Sequence, residues 1–258
     1  TGRMKSVEVF FPLEPLYKRK GIGYKQAKVI SFHPEGDSTE SKGFVTVEYI
    51  FGENAGVQEK VNYDFLINAT GPKLAFELTE GLNPGTNKAY SVCTYEHATH
   101  ASEALLKLIA DIKASDKKAK ILIGTGHARA TCQGAAFEYI LNVEKELVRF
   151  GVRDNVELTW ISNENELGDF GMDGMLLTYG NQTMKSSEMV EMVFADRGIK
   201  WILGAGVSKI EEGIAYYENL EGEHKTESYD FAMLIPSFSG HGFKAFDKNE
   251  NDITAKLF

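Results

Sequence analysis

The chain has two cysteines, Cys93 and Cys132, and these are its clearest candidates for chemistry. A thiolate attacks sulfur and accepts sulfane atoms, so a well-placed cysteine can handle reduced sulfur or redox equivalents. Cys132 closes a loop of small residues that begins at Gly124-Thr125-Gly126. From Gln133 the pattern turns helical, which puts Cys132 at a helix N-terminus, a place that favours a thiolate. The alternative is a small apolar residue filling a tight turn. The two cysteines do not form a CxxC pair or a zinc knuckle, and the histidines do not form HExxH. His97 and His100 have no acid-plus-cysteine set beside them, so no metal site is expected.

The elements that must hold Cys132 are legible. Ile121-Leu122-Ile123 is a short apolar strand leading into the glycine turn. Ala136, Tyr139, Ile140, Val143 and Leu147 then recur at helical spacing, and Gly151 is a stop signal. Val156–Ile161 supplies a second strand. Ser187–Asp196 reads as a helix capped by Gly198, and Ile199–Leu203 as a third strand. Strand, glycine turn, helix, strand is the front of a dinucleotide-type fold. The third glycine of a GxGxxG fingerprint would fall on Arg129, and Glu164 lies too far along to be the ribose-binding acid. Asn163 and Glu164 read as a solvated loop face.

On either side the pattern changes. Tyr24–Phe32, Phe44–Phe51 and Val57–Tyr63 read as strands, the last two forming a hairpin. Phe65-Leu66-Ile67, running into Asn68–Pro72, reads as a strand buried on both faces in a parallel sheet. The same order recurs late in the chain: a hairpin from Ile214–Glu218 and Lys225–Tyr229, then Tyr229–Pro236 echoing Tyr63–Asn68. This duplication suggests two related α/β domains, one inserted in the other. Between the copies lies a helix, Glu96–Lys113, with an apolar face of Ala98, Ala101, Leu105, Leu108 and Ile112. Phe10–Pro15 reads as a turn or connection, Gly168–Gly180 as a long loop, and the tail after Pro236 as loop.

Composition narrows the function. A net charge of −9 gives no attraction to nucleic acid. No apolar run approaches the ~20 residues of a membrane span.

The segments Tyr63–Phe76, Ser91–Ala98, Gly124–Tyr139, Gly151–Asn155 and Asp230–Gly240 together resemble the sulfide:quinone oxidoreductases of the two-dinucleotide-domain flavoprotein superfamily. The resemblance implies an α/β fold, with a Rossmann-like parallel-sheet domain inserted into a partial FAD-binding domain that carries antiparallel hairpins. Boundaries follow at 1–95, 96–236 and 237–258. It implies sulfide oxidation to sulfane sulfur or polysulfide, with electrons passing through FAD to a quinone. Cys132 aligns with a cysteine of the redox sulfur bridge, and Cys93 with a further, more exposed family cysteine. Lys28 and Val29 are implied to lie by the adenine, and Ala69, Thr70, Gly71 and Pro72 to touch the flavin. Peripheral membrane attachment is implied for the family, and a homo-oligomer is allowed.

Three features expected of the family are missing from this stretch: the first GxGxxG fingerprint, a third cysteine and a C-terminal membrane-seating part. A fragment is therefore expected, binding FAD weakly or not at all and inactive alone. The alternatives are a flavocytochrome-type sulfide dehydrogenase, a type II NADH dehydrogenase, or a flavin-free structural or binding module.

Overall fold

The computed structural model describes residues 2–86 and 88–257. In chain order its helices are α1 (Leu13–Arg19), α2 (Tyr95–Ser115), α3 (Gln133–Phe150), α4 (Ser186–Asp196) and α5 (Thr254–Leu257). The strands run β1 (Ala27–His33), β2 (Phe44–Tyr49), β3 (Gln58–Asn62), β4 (Lys73–Ala75), β5 (Ala119–Thr125), β6 (Val156–Ile161), β7 (Leu176–Tyr179) and β8 (Gln182–Lys185). They continue with β9 (Ile199–Ile202), β10 (Gly206–Glu211), β11 (Ile214–Glu218), β12 (His224–Ser228), β13 (Phe231–Ile235), β14 (Ser237–Ser239) and β15 (Lys244–Ala245). The chain divides into two units, Thr1–Val9 with Leu74–Ser239, and Phe10–Lys73 with Gly240–Phe258. The dividing point is not at 95/96. Residues 74–95 belong with the larger unit because Tyr90 pairs with β13, donating to Ala232 O and accepting from Leu234 N–H, while Leu82 and Ala89 sit in its core.

The larger unit is built on a four-stranded parallel sheet in the order β13-β5-β6-β9. Strand direction alternates side chains between faces. In β13, Phe231, Met233 and Ile235 face the core shared with α2, α3 and α4, while Ala232 and Leu234 face the core shared with the β10-β11-β12 meander. Both faces are thus covered, which is why these strands read as unbroken apolar runs. Gly124 allows β5 to lie against β6: a Cβ there would overlap the Ile161 carbonyl. Helix α3 ends at Gly151 in the left-handed region (φ 70°), where the Gly151 and Val152 N–H groups satisfy the Val148 and Leu147 carbonyls.

The smaller unit holds an antiparallel meander, β1-β2-β3, with β15 parallel to β1. Its core gathers Phe32, Val45, Val47 and Ala245. Phe65–Ile67 is not a strand, which corrects the sequence reading: Phe65 is 94% and Ile67 89% exposed. An apolar run becomes a buried strand only when neighbours bond both its edges, and among the described residues none pairs with this segment. The Tyr-Asp-Phe echo is therefore not an echo in structure. Other elements were also not foreseen: α1 stands where a connection was expected, the 168–180 loop contains β7, β10 precedes the second hairpin, and the tail forms β14, β15 and α5. Among the described residues no helix is long and apolar enough to cross a membrane.

Candidate functional site

The loop from Gly126 to Cys132 leaves the C-terminal end of β5, beside the point where strand order reverses between β5 and β13. Open α/β sheets bind ligands at such a point. The loop is held mainly by groups outside it. Gly126 N–H donates to Ile235 O (2.7 Å), and the buried Thr79 hydroxyl donates to Gly126 O (2.6 Å). Within the loop, Arg129 N–H donates to His127 Nδ1 (3.0 Å). The Asn163 amide donates to both Ala128 O (2.9 Å) and Ala130 O (3.0 Å). The Ser237 hydroxyl reaches Arg129 O (3.4 Å), and Gln133 Nε2 reaches Ala130 O (3.3 Å).

Cys132 is exposed and occupies the N-cap of α3 in the left-handed region, with φ 72°. A non-glycine residue there costs about 1–2 kcal/mol and needs surrounding structure to impose it. Its side chain makes no capping hydrogen bond. His127 lies in the same loop, but burial and the Arg129 charge lower its pKa. With Nδ1 accepting from Arg129, the neutral ring carries its proton on Nε2.

Cys93 lies two residues before α2's first residue, on the segment that pairs with β13 through Tyr90. It is the less exposed of the two cysteines, the reverse of what the resemblance implied. Burial pushes its thiol pKa up, the Ser91 hydroxyl partly offsets this, and the charge of Cys132 adds to it. The fold thus brings the two cysteines within electrostatic reach of one another.

Glu164 is not on a solvated face. It is 4% exposed, accepting from the Ser162 hydroxyl (2.7 Å) and Phe170 N–H (2.6 Å). Burial raises its pKa, opposed by these two donors and reinforced by Asp169. It fastens the chain after β6.

The proposed flavin residues are partly brought together. Thr70 and Gly71 line a cavity of about 170 Å³ in the smaller unit with Asn68, His241, Phe243 and Thr254. The Thr70 hydroxyl donates to Asn68 Oδ1 (2.8 Å), which fixes the turn. Ala69 and Pro72 flank it, whereas Lys28 and Val29 lie on β1 and do not line this cavity. Sites that enclose a small molecule span roughly 300–1,000 Å³. The cavity is below that range, so these residues do not by themselves enclose a flavin nucleotide. Among the described residues no cluster of metal-ligating side chains occurs.

Sequence reasoning missed Ser91, Gln133 and Ser237 as supports of the cysteines, and missed what Asn163 does. The Ser-x-Cys spacing offered a local signal, whereas the bonds from Asn163 and Ser237 to the loop span distant segments.

No family model matches the chain. The fold is that of the FAD-dependent oxidoreductases. It is similar to NDH2 from Plasmodium falciparum, solved in complex with NADH, at a TM-score of 0.55 and 16% identity, covering 85% of this chain and 42% of that one. At that identity the likeness concerns fold alone. The chain is, more particularly, a homologue of the sulfide-quinone reductases. It is 30% identical to the sulfide-quinone reductase of Aquifex aeolicus over 93% of its own length and 48% of that protein's. The solved sulfide:quinone oxidoreductase of Aquifex aeolicus matches 89% of the chain, and 46% of that structure, with a TM-score of 0.67 and 32% identity. A mitochondrial sulfide:quinone oxidoreductase of Dictyostelium discoideum is 24% identical over 71% of the chain and 37% of its own length. The chain spans about half the length of the first of these curated relatives and less of the second.

Proposed function

We propose that this chain carries the sulfur-handling cysteines of a sulfide-oxidising enzyme, with Cys132 as the residue on which sulfane sulfur is held. The observation that carries the reading is the exposed Cys132 at the head of α3, free of capping duty and set at the reversal point of a parallel sheet. The sulfide-quinone reductase relatives support sulfide and a quinone as its partners. Oxidation of hydrogen sulfide to sulfane sulfur releases two electrons and two protons, which a quinone takes up as it becomes a quinol.

The step assigned to Cys132 is sulfur exchange. Its thiolate attacks an internal sulfur of a polysulfide, a Sγ–S bond forms, the polysulfide S–S bond breaks, and the shorter polysulfide leaves with the electron pair. Cys93, held as a thiol by burial, is the slower second acceptor, because the thiolate is the attacking form. The Ala69–Pro72 turn is one rim of a flavin site. An NADH dehydrogenase is disfavoured: Arg129 takes the place of the third glycine, and the Asn163 amide is occupied by loop carbonyls.

The test is sulfur uptake. The chain is treated with polysulfide and desalted, and its intact mass is compared with those of Cys132→Ser and Cys93→Ser. Cys93→Ser is expected to retain sulfur as the parent does at Cys132, and Cys132→Ser to take it up much more slowly. Equal retention by both variants would remove the assignment.

A further inference from the structure

We propose that Asn163 is the positioning residue for Cys132, holding it in the left-handed conformation that keeps its thiol out of the helix cap. The inference rests on the reading of Cys132 as the sulfur-bearing residue.

An N-cap residue ordinarily lies in the β region, and its side chain accepts an N–H from the first turn of the helix. A cysteine sulfur free to relax would take that role, and helix N–H groups that engage it favour the thiolate but make each thiolate a weaker nucleophile. Cys132 does neither: its φ is 72° and its side chain caps nothing. Something must impose this conformation. The loop's own sequence does not, because its internal bonds are few: Arg129 N–H to His127 Nδ1 and Ala130 N–H to His127 O.

Asn163 supplies the constraint. Its backbone N–H donates to the Thr125 hydroxyl (3.0 Å), which locks Asn163 to the end of β5. Its amide nitrogen then bridges Ala128 O and Ala130 O, and its Oδ1 accepts from Gln133 Nε2 (3.2 Å). One carboxamide thus ties the loop before Cys132 to the residue immediately after it. Gln133 is itself 4% exposed, so its amide has no competing access to bulk water. The Ser237 contact to Arg129 O is longer (3.4 Å) and is a secondary tie.

The chemistry requires an amide. A carboxylate of the same shape has no donor to offer and would set a negative charge against two carbonyl oxygens. Asn163→Asp is therefore a near-isosteric variant with the opposite demand, and protonation of the new carboxyl restores one donor.

The experiment uses the whole chain in a Cys93→Ser background, leaving Cys132 as the sole thiol, and compares Asn163 with Asn163→Ala and Asn163→Asp. Two rates are read: tryptic cleavage after Arg129, which reports release of the loop, and attack of the thiol on a dipyridyl disulfide. Cleavage is expected to rise about tenfold while thiol attack, read well above the ordinary thiol pKa of about 8.5 where the thiol is fully ionised, falls several-fold, since the freed Cys132 turns into the cap. Simple loosening would raise both rates. If Asn163→Ala does not fold, Asn163→Asp carries the test through its pH profile. Its thiol rate relative to the parent is expected to return toward one as pH falls and the carboxyl protonates, which begins above the ordinary value of about 3.9 because the two carbonyls disfavour the charge. Both rates rising together, an unchanged thiol rate, or a flat relative profile for Asn163→Asp would overturn the proposal. Cys132 failing to take up sulfur while these rates still part would remove the proposed function alone.

Discussion

Cys132 adds its charge to the burial that keeps the Cys93 thiol protonated, although the two cysteines come from different loops. One lies before α2 and the other before α3, and the parallel sheet brings both loops to their common neighbourhood. In the proposed sulfur chemistry, the exposed cysteine is to react first and the half-buried one second.

That coupling is measurable. Cys93 should titrate above the ordinary thiol value of about 8.5 when alkylation rate is followed against pH. In Cys132→Ser its midpoint should move down, because one of the influences raising it has gone. A midpoint that stays put or rises would mean the two thiols do not sense each other.

Glu164 gives a pH signature with a defined sign. Its pKa in the fold is raised, chiefly by burial, so the ionised form is disfavoured there. The stability it contributes is fully present below the ordinary carboxylate value of about 4.3 and is lost as pH rises through the raised folded value. Urea midpoints of Glu164→Gln should lack this decline. Parallel pH profiles for the parent and the variant would contradict the burial argument.

The two Tyr-Asp-Phe copies should respond differently to mutation. Phe231 is 2% exposed in the parallel sheet, and Phe231→Ala should cost about 3–5 kcal/mol. Phe65 is 94% exposed, and Phe65→Ala should fall within about 0.5 kcal/mol of the parent. Comparable losses in chemical denaturation would show that Phe65 is buried after all.

Gly124→Ala should destabilise by about 3 kcal/mol, since the added methyl overlaps the Ile161 carbonyl in the adjacent strand. A near-neutral effect on the urea midpoint would mean β5 and β6 are not so closely apposed.

These contrasts show what the sequence can disclose. The β5–α3–β6 unit was legible because its signals are local: an apolar run, a glycine turn, helical spacing from Ala136 to Leu147 and a glycine stop. Phe65–Ile67 carries the same kind of apolar run, yet its burial depends on strands elsewhere, and composition cannot report on neighbours. The exposures of the two cysteines were reversed for a similar reason. Cys93 is half-buried because the segment before it lies along β13, far away in the chain. Glu164 and Asn163 sit side by side after β6, and nothing in their order tells that one is buried while the other braces the loop before Cys132. Hydrogen bonds from Asn163 to Ala128 and Ala130 leave no mark on local periodicity.

The measurement that bears most directly on the whole account is the site of first sulfur uptake in the unaltered chain. Limiting polysulfide is added, free thiols are blocked at short times, and peptides bearing Cys93 and Cys132 are weighed separately. The account predicts one added sulfur on Cys132 at the earliest times, with Cys93 still a thiol. Sulfur appearing first on Cys93, or on neither residue, would contradict it.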